Sequence, residues 1–116
     1  MPSDCLFCKI GAGEIPAEIL FQDEFTLAFR DISPEAPSHI LVISKEHQPN
    51  IHSIDQERVA PYMGQLFVTA QKVIEQENLS DKGYRIVLNS GIDGGQTVDH
   101  IHLHILGGRS LQWPPG

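Results

Sequence analysis

The sequence of 116 residues has no run of lysine or arginine, and its eight basic residues are outnumbered by fifteen acidic ones, for a formal net charge of −7. A chain so charged cannot neutralise a row of phosphates, which argues against broad nucleic-acid binding. A small anionic ligand would have to be held by backbone N–H groups, imidazoles and amides instead of a basic patch. No apolar run reaches the length of a membrane span, so no membrane association is expected. The opening Met1-Pro2-Ser3-Asp4-Cys5 lacks the basic start and apolar centre of a secretory signal, and a cytoplasmic protein is expected. There is no internal repeat and no low-complexity segment. Cysteine is scarce: only Cys5 and Cys8. In a reducing compartment such a Cys-x-x-Cys pair is more often a metal clip or a redox pair than a structural disulfide. What remains is ordinary for a globular chain, 41% hydrophobic and 20% charged, and a single domain over residues 1–116 is expected.

The patterning predicts a short helix from Cys5, stopped by Gly11-Ala12-Gly13. Glu18 to Gln22 and Phe25 to Arg30 read as a hairpin turning at Asp23-Glu24. Two prolines, Pro34 and Pro37, make a loop, and His39 to Ser44 is the best candidate for a central strand. The only long helix falls between about Asp55 and Glu77. Val59, Tyr62, Met63, Leu66, Phe67, Ala70, Val73 and Ile74 recur there at i, i+3, i+4 and i+7. Pro61 suits a first turn, which would start the helix near Glu57 to Ala60. Tyr84 to Asn89 and His100 to Leu106 complete five strands. The loops are too short for parallel crossovers except through the long helix. The predicted fold is α+β, a mostly antiparallel five-stranded sheet with one long helix and a short N-terminal helix.

The chemistry concentrates in Asp99-His100-Ile101-His102-Leu103-His104. On a strand, His100, His102 and His104 would share one face, with Ile101, Leu103 and Ile105 on the other. An imidazole is both a nucleophile and a base, and a row of them can hold one neutral member to attack and one protonated member to stabilise charge. Upstream, Asn89 to Thr97 is a glycine-rich loop that precedes a strand, so it is neither a Walker loop nor a Rossmann turn. Gly91, Gly94 and Gly95 would let successive N–H groups converge on an anion. The alternative is a flexible connection.

His100-Ile101-His102-Leu103-His104-Ile105-Leu106 resembles the His-x-His-x-His motif of the histidine triad (HIT) superfamily. Glu14-Ile15-Pro16-Ala17, Asp31-Ile32-Ser33-Pro34-Glu35-Ala36-Pro37, Gly94-Gly95-Gln96 and Trp113-Pro114-Pro115-Gly116 extend the likeness to its histidine triad nucleotide-binding (HINT) branch. The resemblance covers nearly the whole chain. It implies a HIT-like fold, a homodimer, and hydrolysis of purine nucleoside phosphoramidates through a covalent nucleotidyl-histidine. His102 would be the nucleophile, with His39 and His104 orienting or flanking it. Asp31 would accept both ribose hydroxyls. Phe7, Ile10, Phe29, Ile32 and Leu41 would line the base pocket. Asn89, Gln96, the Thr97 hydroxyl and the Val98 N–H, beside Gly95, would hold the α-phosphate or relay a proton. Trp113 would shape the leaving-group side. Some members with the N-terminal cysteine pair bind zinc through four ligands that here are Cys5, Cys8, His47 and His100. Such an ion would be structural, and no organic cofactor is implied. Two other activities fit the superfamily, a nucleotide-binding scaffold with incidental hydrolysis and a dinucleoside polyphosphate hydrolase.

Overall fold

The computed structural model describes residues 4–116, so the first three residues of the segment read for a targeting signal lie outside it. In chain order the elements are α1 (Leu6–Gly11), β1 (Ile19–Gln22), β2 (Thr26–Arg30), β3 (Ser38–Ser44), a 3-10 turn (Ile51–Ser53), α2 (Gln56–Gln76), β4 (Tyr84–Val87), α3 (Gly91–Gly94) and β5 (His102–Gly107). The strands form one sheet in the order β1-β2-β3-β5-β4, and every neighbouring pair is antiparallel. The five strands, the long helix and the short N-terminal helix are those expected from the patterning.

Local chemistry explains the element ends. Cys5 caps α1: its Sγ accepts the Cys8 N–H at 3.4 Å. The β1–β2 turn has no strong turn dipeptide, but Asp23 Oδ1 accepts the N–H groups of Phe25 and Thr26, both at 2.8 Å. The side chain thus imitates a backbone turn. Two expectations for α2 need correction. The helix begins at Gln56, so Pro61 lies inside it, beyond the first turn. Pro61 and Glu57 are both exposed, which leaves the Glu57 carbonyl, deprived of its donor, to water. Phe67, grouped with the core by spacing, is 45% exposed beside Val68 at 51%. It follows Leu66 by one residue, about 100° round the helix, and faces the β4 edge instead of the sheet.

Strand alternation sorts the core into two layers. Ala28, Ile40, Val42, Leu103 and Ile105 face α2, against Met63, Leu66, Ala70, Val73 and Ile74. Leu27, Phe29, Leu41 and Ile43 face α1, against Phe7 and Ile10. Each such side chain contributes about 1.5–3 kcal/mol on burial. The sheet therefore has a large core on one face and, on the other, a small cluster beside which the histidines emerge.

Candidate active site and Cys-His cluster

A cavity of about 240 Å³ opens on the α1 face of the sheet. Phe7, Ile10, Phe29, Ile32 and Leu41 line it, as do Asp31, Thr97, Val98, His102 and His104, so ten of the residues singled out in the sequence converge there. Leu6, Ile15, Pro16, Ala17 and Arg30 line it too and were not assigned a role. The signal for three of them was the apolar Ile15-Pro16-Ala17 between α1 and β1. The cavity is apolar at one end and carries a carboxylate and two imidazoles at the other, the chemistry that suits a base, a ribose and a phosphate.

Backbone groups, whose donor or acceptor character is fixed, assign the protons on the imidazoles. His102 Nδ1 lies 2.7 Å from the His100 carbonyl. A carbonyl only accepts, so Nδ1 carries the proton and the opposite nitrogen, Nε2, is a bare lone pair. The Glu35 N–H donates to His39 Nδ1 at 3.0 Å, so neutral His39 carries its proton on Nε2. That nitrogen is 2.9 Å from His104 Nδ1 and 3.5 Å from Asp31 Oδ2. His104 therefore accepts at Nδ1 and presents an Nε2–H, with its ring centre 4.9 Å from that of His102. Phe7 stacks edge-on against His102, also at 4.9 Å. Asp31, His39 and His104 bring three ligand-type atoms close together, but a proton occupies the space between the two nitrogens, so this is a hydrogen-bond relay and not a metal site.

Burial sets the charge of these rings. It pushes His104 down from 6.5 to about 4, helped by His102 and His39. Burial also lowers His102, against the opposing pull of the His100 carbonyl. Burial thus favours the neutral form of both rings over a resident imidazolium. Polarity comes from N–H groups instead. Among the described residues Arg30 is the only cation lining the cavity, and its guanidinium is tied to Glu18 at 3.0 Å and to Glu77.

The glycine-rich loop differs from the anion nest suggested by its glycines. A single helical turn, α3, forms inside it. The Gly91 N–H donates to Gln96 Oε1, the Gly95 N–H to the Ile92 carbonyl and the Gln96 N–H to the Gly91 carbonyl. The Gln96 amide donates to the carbonyls of Pro49 and Val98. The N–H groups of Gly91 and Gly95 and the Gln96 carboxamide are thus spent on shaping the loop that presents Thr97 and Val98. Neither Asn89 nor Gly95 lines the cavity. Trp113, 80% exposed, lies outside it too.

His100 does not share the chemistry of His102. It precedes β5 and is fully buried. Its Nε2 donates to the Ser44 carbonyl at 2.7 Å, which leaves Nδ1 as a lone pair facing Cys5 Sγ at 3.4 Å, Cys8 Sγ at 3.6 Å and His47 Nδ1 at 3.2 Å. His47 Nδ1 is 3.4 Å from Cys8 Sγ. Tetrahedral zinc, with bonds of about 2.3 Å to sulfur and about 2.0 Å to nitrogen, would set its S···N edges near ~3.5 Å and its N···N edge near ~3.3 Å. The observed separations match those edges. The four residues inferred by likeness are therefore assembled with donor atoms converging, and burial holds His100 neutral by lowering it to about 4. Burial raises the Cys8 thiol to about 11, so without a cation it keeps its proton.

Comparison with known proteins agrees with this fold. A HIT-like protein of Synechococcus elongatus is 50% identical over 116 residues, the full length of both chains. A purine nucleoside phosphoramidase of Escherichia coli is 43% identical over 111 residues, 96% of this chain and 92% of the other. The crystal structure of a HIT family hydrolase from Legionella pneumophila superposes with a TM-score of 0.93 at 49% identity, covering 97% of this chain and 100% of its own. The HIT domain matches residues 12–111, and the chain belongs to the HIT family.

Proposed function

We propose that the protein hydrolyses purine nucleoside phosphoramidates through a covalent nucleotidyl-His102 intermediate. The observation that carries this reading is the His102–His100 carbonyl bond of 2.7 Å, which leaves Nε2 unprotonated on a ring that lines an apolar cavity. The Nε2 lone pair attacks the α-phosphorus, the P–N bond to the amine breaks, and the leaving nitrogen takes a proton relayed from water by the Thr97 hydroxyl. Water then adds to phosphorus, giving up a proton to solvent, the N–P bond to His102 breaks with its electron pair returning to Nε2, and the nucleoside monophosphate leaves. Asp31 faces the ribose, its carboxylate held by the Ser33 N–H at 2.8 Å. The Nε2–H of His104 and the Thr97 hydroxyl serve as donors to the phosphoryl oxygens or the leaving nitrogen.

Charge favours this substrate over a dinucleoside polyphosphate. Arg30, the one cation among the described residues lining the cavity, is already paired with two carboxylates, so each added phosphate would bring a charge with no partner. The deciding assay compares adenosine 5′-phosphoramidate with diadenosine polyphosphates. Turnover of the first alone is expected; faster turnover of the second, or of neither, refutes the proposal.

Two further assignments belong to the same reading. Cys5, Cys8, His47 and His100 would hold a structural Zn²⁺, four protein ligands leaving no open position. A second copy of the chain would cover the β4 edge and the apolar groove lined by Gly64, Phe67, Val68, Tyr84 and Ile86. This would bring Trp113 of one copy toward the leaving-group side of the other. Sedimentation of the wild type and of Val68→Glu tests this, with a dimer and a monomer expected.

A further inference from the structure

The relay that fixes the imidazole protons does not end at His39. The Glu35 N–H that holds His39 Nδ1 comes from an exposed loop, and that loop needs an anchor. Arg109, just beyond β5, supplies one. Its Nε and Nη2 both donate to the Glu35 carbonyl, at 3.2 and 2.9 Å, while Nη1 donates to the Ser110 carbonyl at 3.2 Å. A planar guanidinium gripping one carbonyl with two N–H groups defines its direction as well as its distance.

The backbone around Arg109 is shaped for this contact. Ser38 pairs with Gly107 in the β3–β5 ladder. Gly108 has φ +91°, and a Cβ there would fall 2.9 Å from Pro37 Cβ. The segment 107–109 therefore lies directly on 35–38, at an approach that only glycine permits. Three links follow in series: Arg109 to the Glu35 carbonyl, the Glu35 N–H to His39 Nδ1, and His39 Nε2–H to His104 Nδ1.

We propose that Arg109 is a positioning residue for the triad: by clamping Glu35 it holds His39, and through it His104, in the single tautomer that points an Nε2–H at the phosphoryl group. The kinetic part rests on the phosphoramidate reading; the tautomer part does not. With Arg109 removed, the Glu35 loop moves, His39 is free to take its proton on either nitrogen, and a fraction of His104 presents a lone pair where a donor is required. Nucleotide binding stays intact, because the apolar cavity and Asp31 are untouched.

The test uses the full chain labelled with ¹⁵N. In the wild type, a scalar coupling across the hydrogen bond from the Glu35 amide to His39 Nδ1 is expected; its absence overturns the proposal without any variant. In Arg109→Ala that coupling weakens and the ring nitrogens of His39 and His104 shift toward tautomer-averaged values. Turnover of adenosine 5′-phosphoramidate falls about tenfold in kcat while KM and AMP affinity change by less than about twofold. Arg109→Lys, which keeps the charge and loses the fork, falls between the two. Wild-type ring shifts in Arg109→Ala, or a rise in KM with kcat unchanged, refutes the proposal. If the wild type turns over no phosphoramidate, the substrate reading fails, and the ring shifts still decide the role of Arg109.

Discussion

Acid should unfold this protein partly through one imidazole. His104 takes up its proton near pH 6.5 when unfolded and only near about 4 when folded. Between those values the unfolded chain binds a proton that the folded chain refuses. Stability is therefore full above about pH 6.5 and falls as pH drops toward 4, at about 1.4 kcal/mol per pH unit for this group. Across the window the loss is about 3 kcal/mol, a large share of the roughly 5–15 kcal/mol that holds a domain together. His104→Asn isolates the effect, because the Asn Oδ1 can still accept the His39 Nε2–H but has no proton to gain. Urea unfolding at pH 7, 6, 5 and 4, with both proteins at equal zinc content, gives the two slopes. The wild type is expected to lose about 3 kcal/mol more than the variant between pH 7 and 4. Equal slopes would refute the claim that burial keeps His104 neutral.

Other consequences can be checked independently. His102→Ala should abolish phosphoramidate turnover and leave AMP affinity within about threefold of wild type, by calorimetry; retained turnover removes His102 as nucleophile. Protein purified without chelator should carry zinc near one ion per chain by elemental analysis, and Cys8→Ser should lose the metal and melt at a lower temperature. Thr26 and Thr69 share a buried hydroxyl bond of 2.6 Å, and Thr26 also donates to Asp23 Oδ1 at 3.0 Å. Thr69→Val should therefore cost only about 1 kcal/mol by urea titration, since Thr26 keeps a partner.

Periodic and motif-borne features were readable from the sequence alone. The compact apolar run from His39 to Ser44 and the alternation around His102 placed both central strands, and the 3.6-residue spacing placed α2. Ten of the residues lining the cavity followed from likeness, residue by residue. What spacing could not convey was the use to which polar groups are put. The glycines at 91, 94 and 95 promised free N–H groups, yet Gln96 reaches back to fold that loop on itself. The three histidines looked equivalent by alternation. They differ because the strand begins only at His102 and because distant groups, Glu35 and Ser44, dictate where each proton resides. Phe67 shows the other gap: an apolar residue at core spacing can belong to an outer surface, and only the fold reveals which way it turns.

The division of the sheet into two apolar layers separates what keeps the chain folded from what the chain does. The helix α2 and its side of the strands hold the larger core, while Phe7, Ile10, Phe29 and Leu41 form a smaller cluster beneath α1. A change of side chain on the α1 side reshapes the cavity without opening a void under α2. Ligand preference can therefore drift or be redesigned while the larger core stays packed, with the sheet as a partition between two nearly independent sets of substitutions.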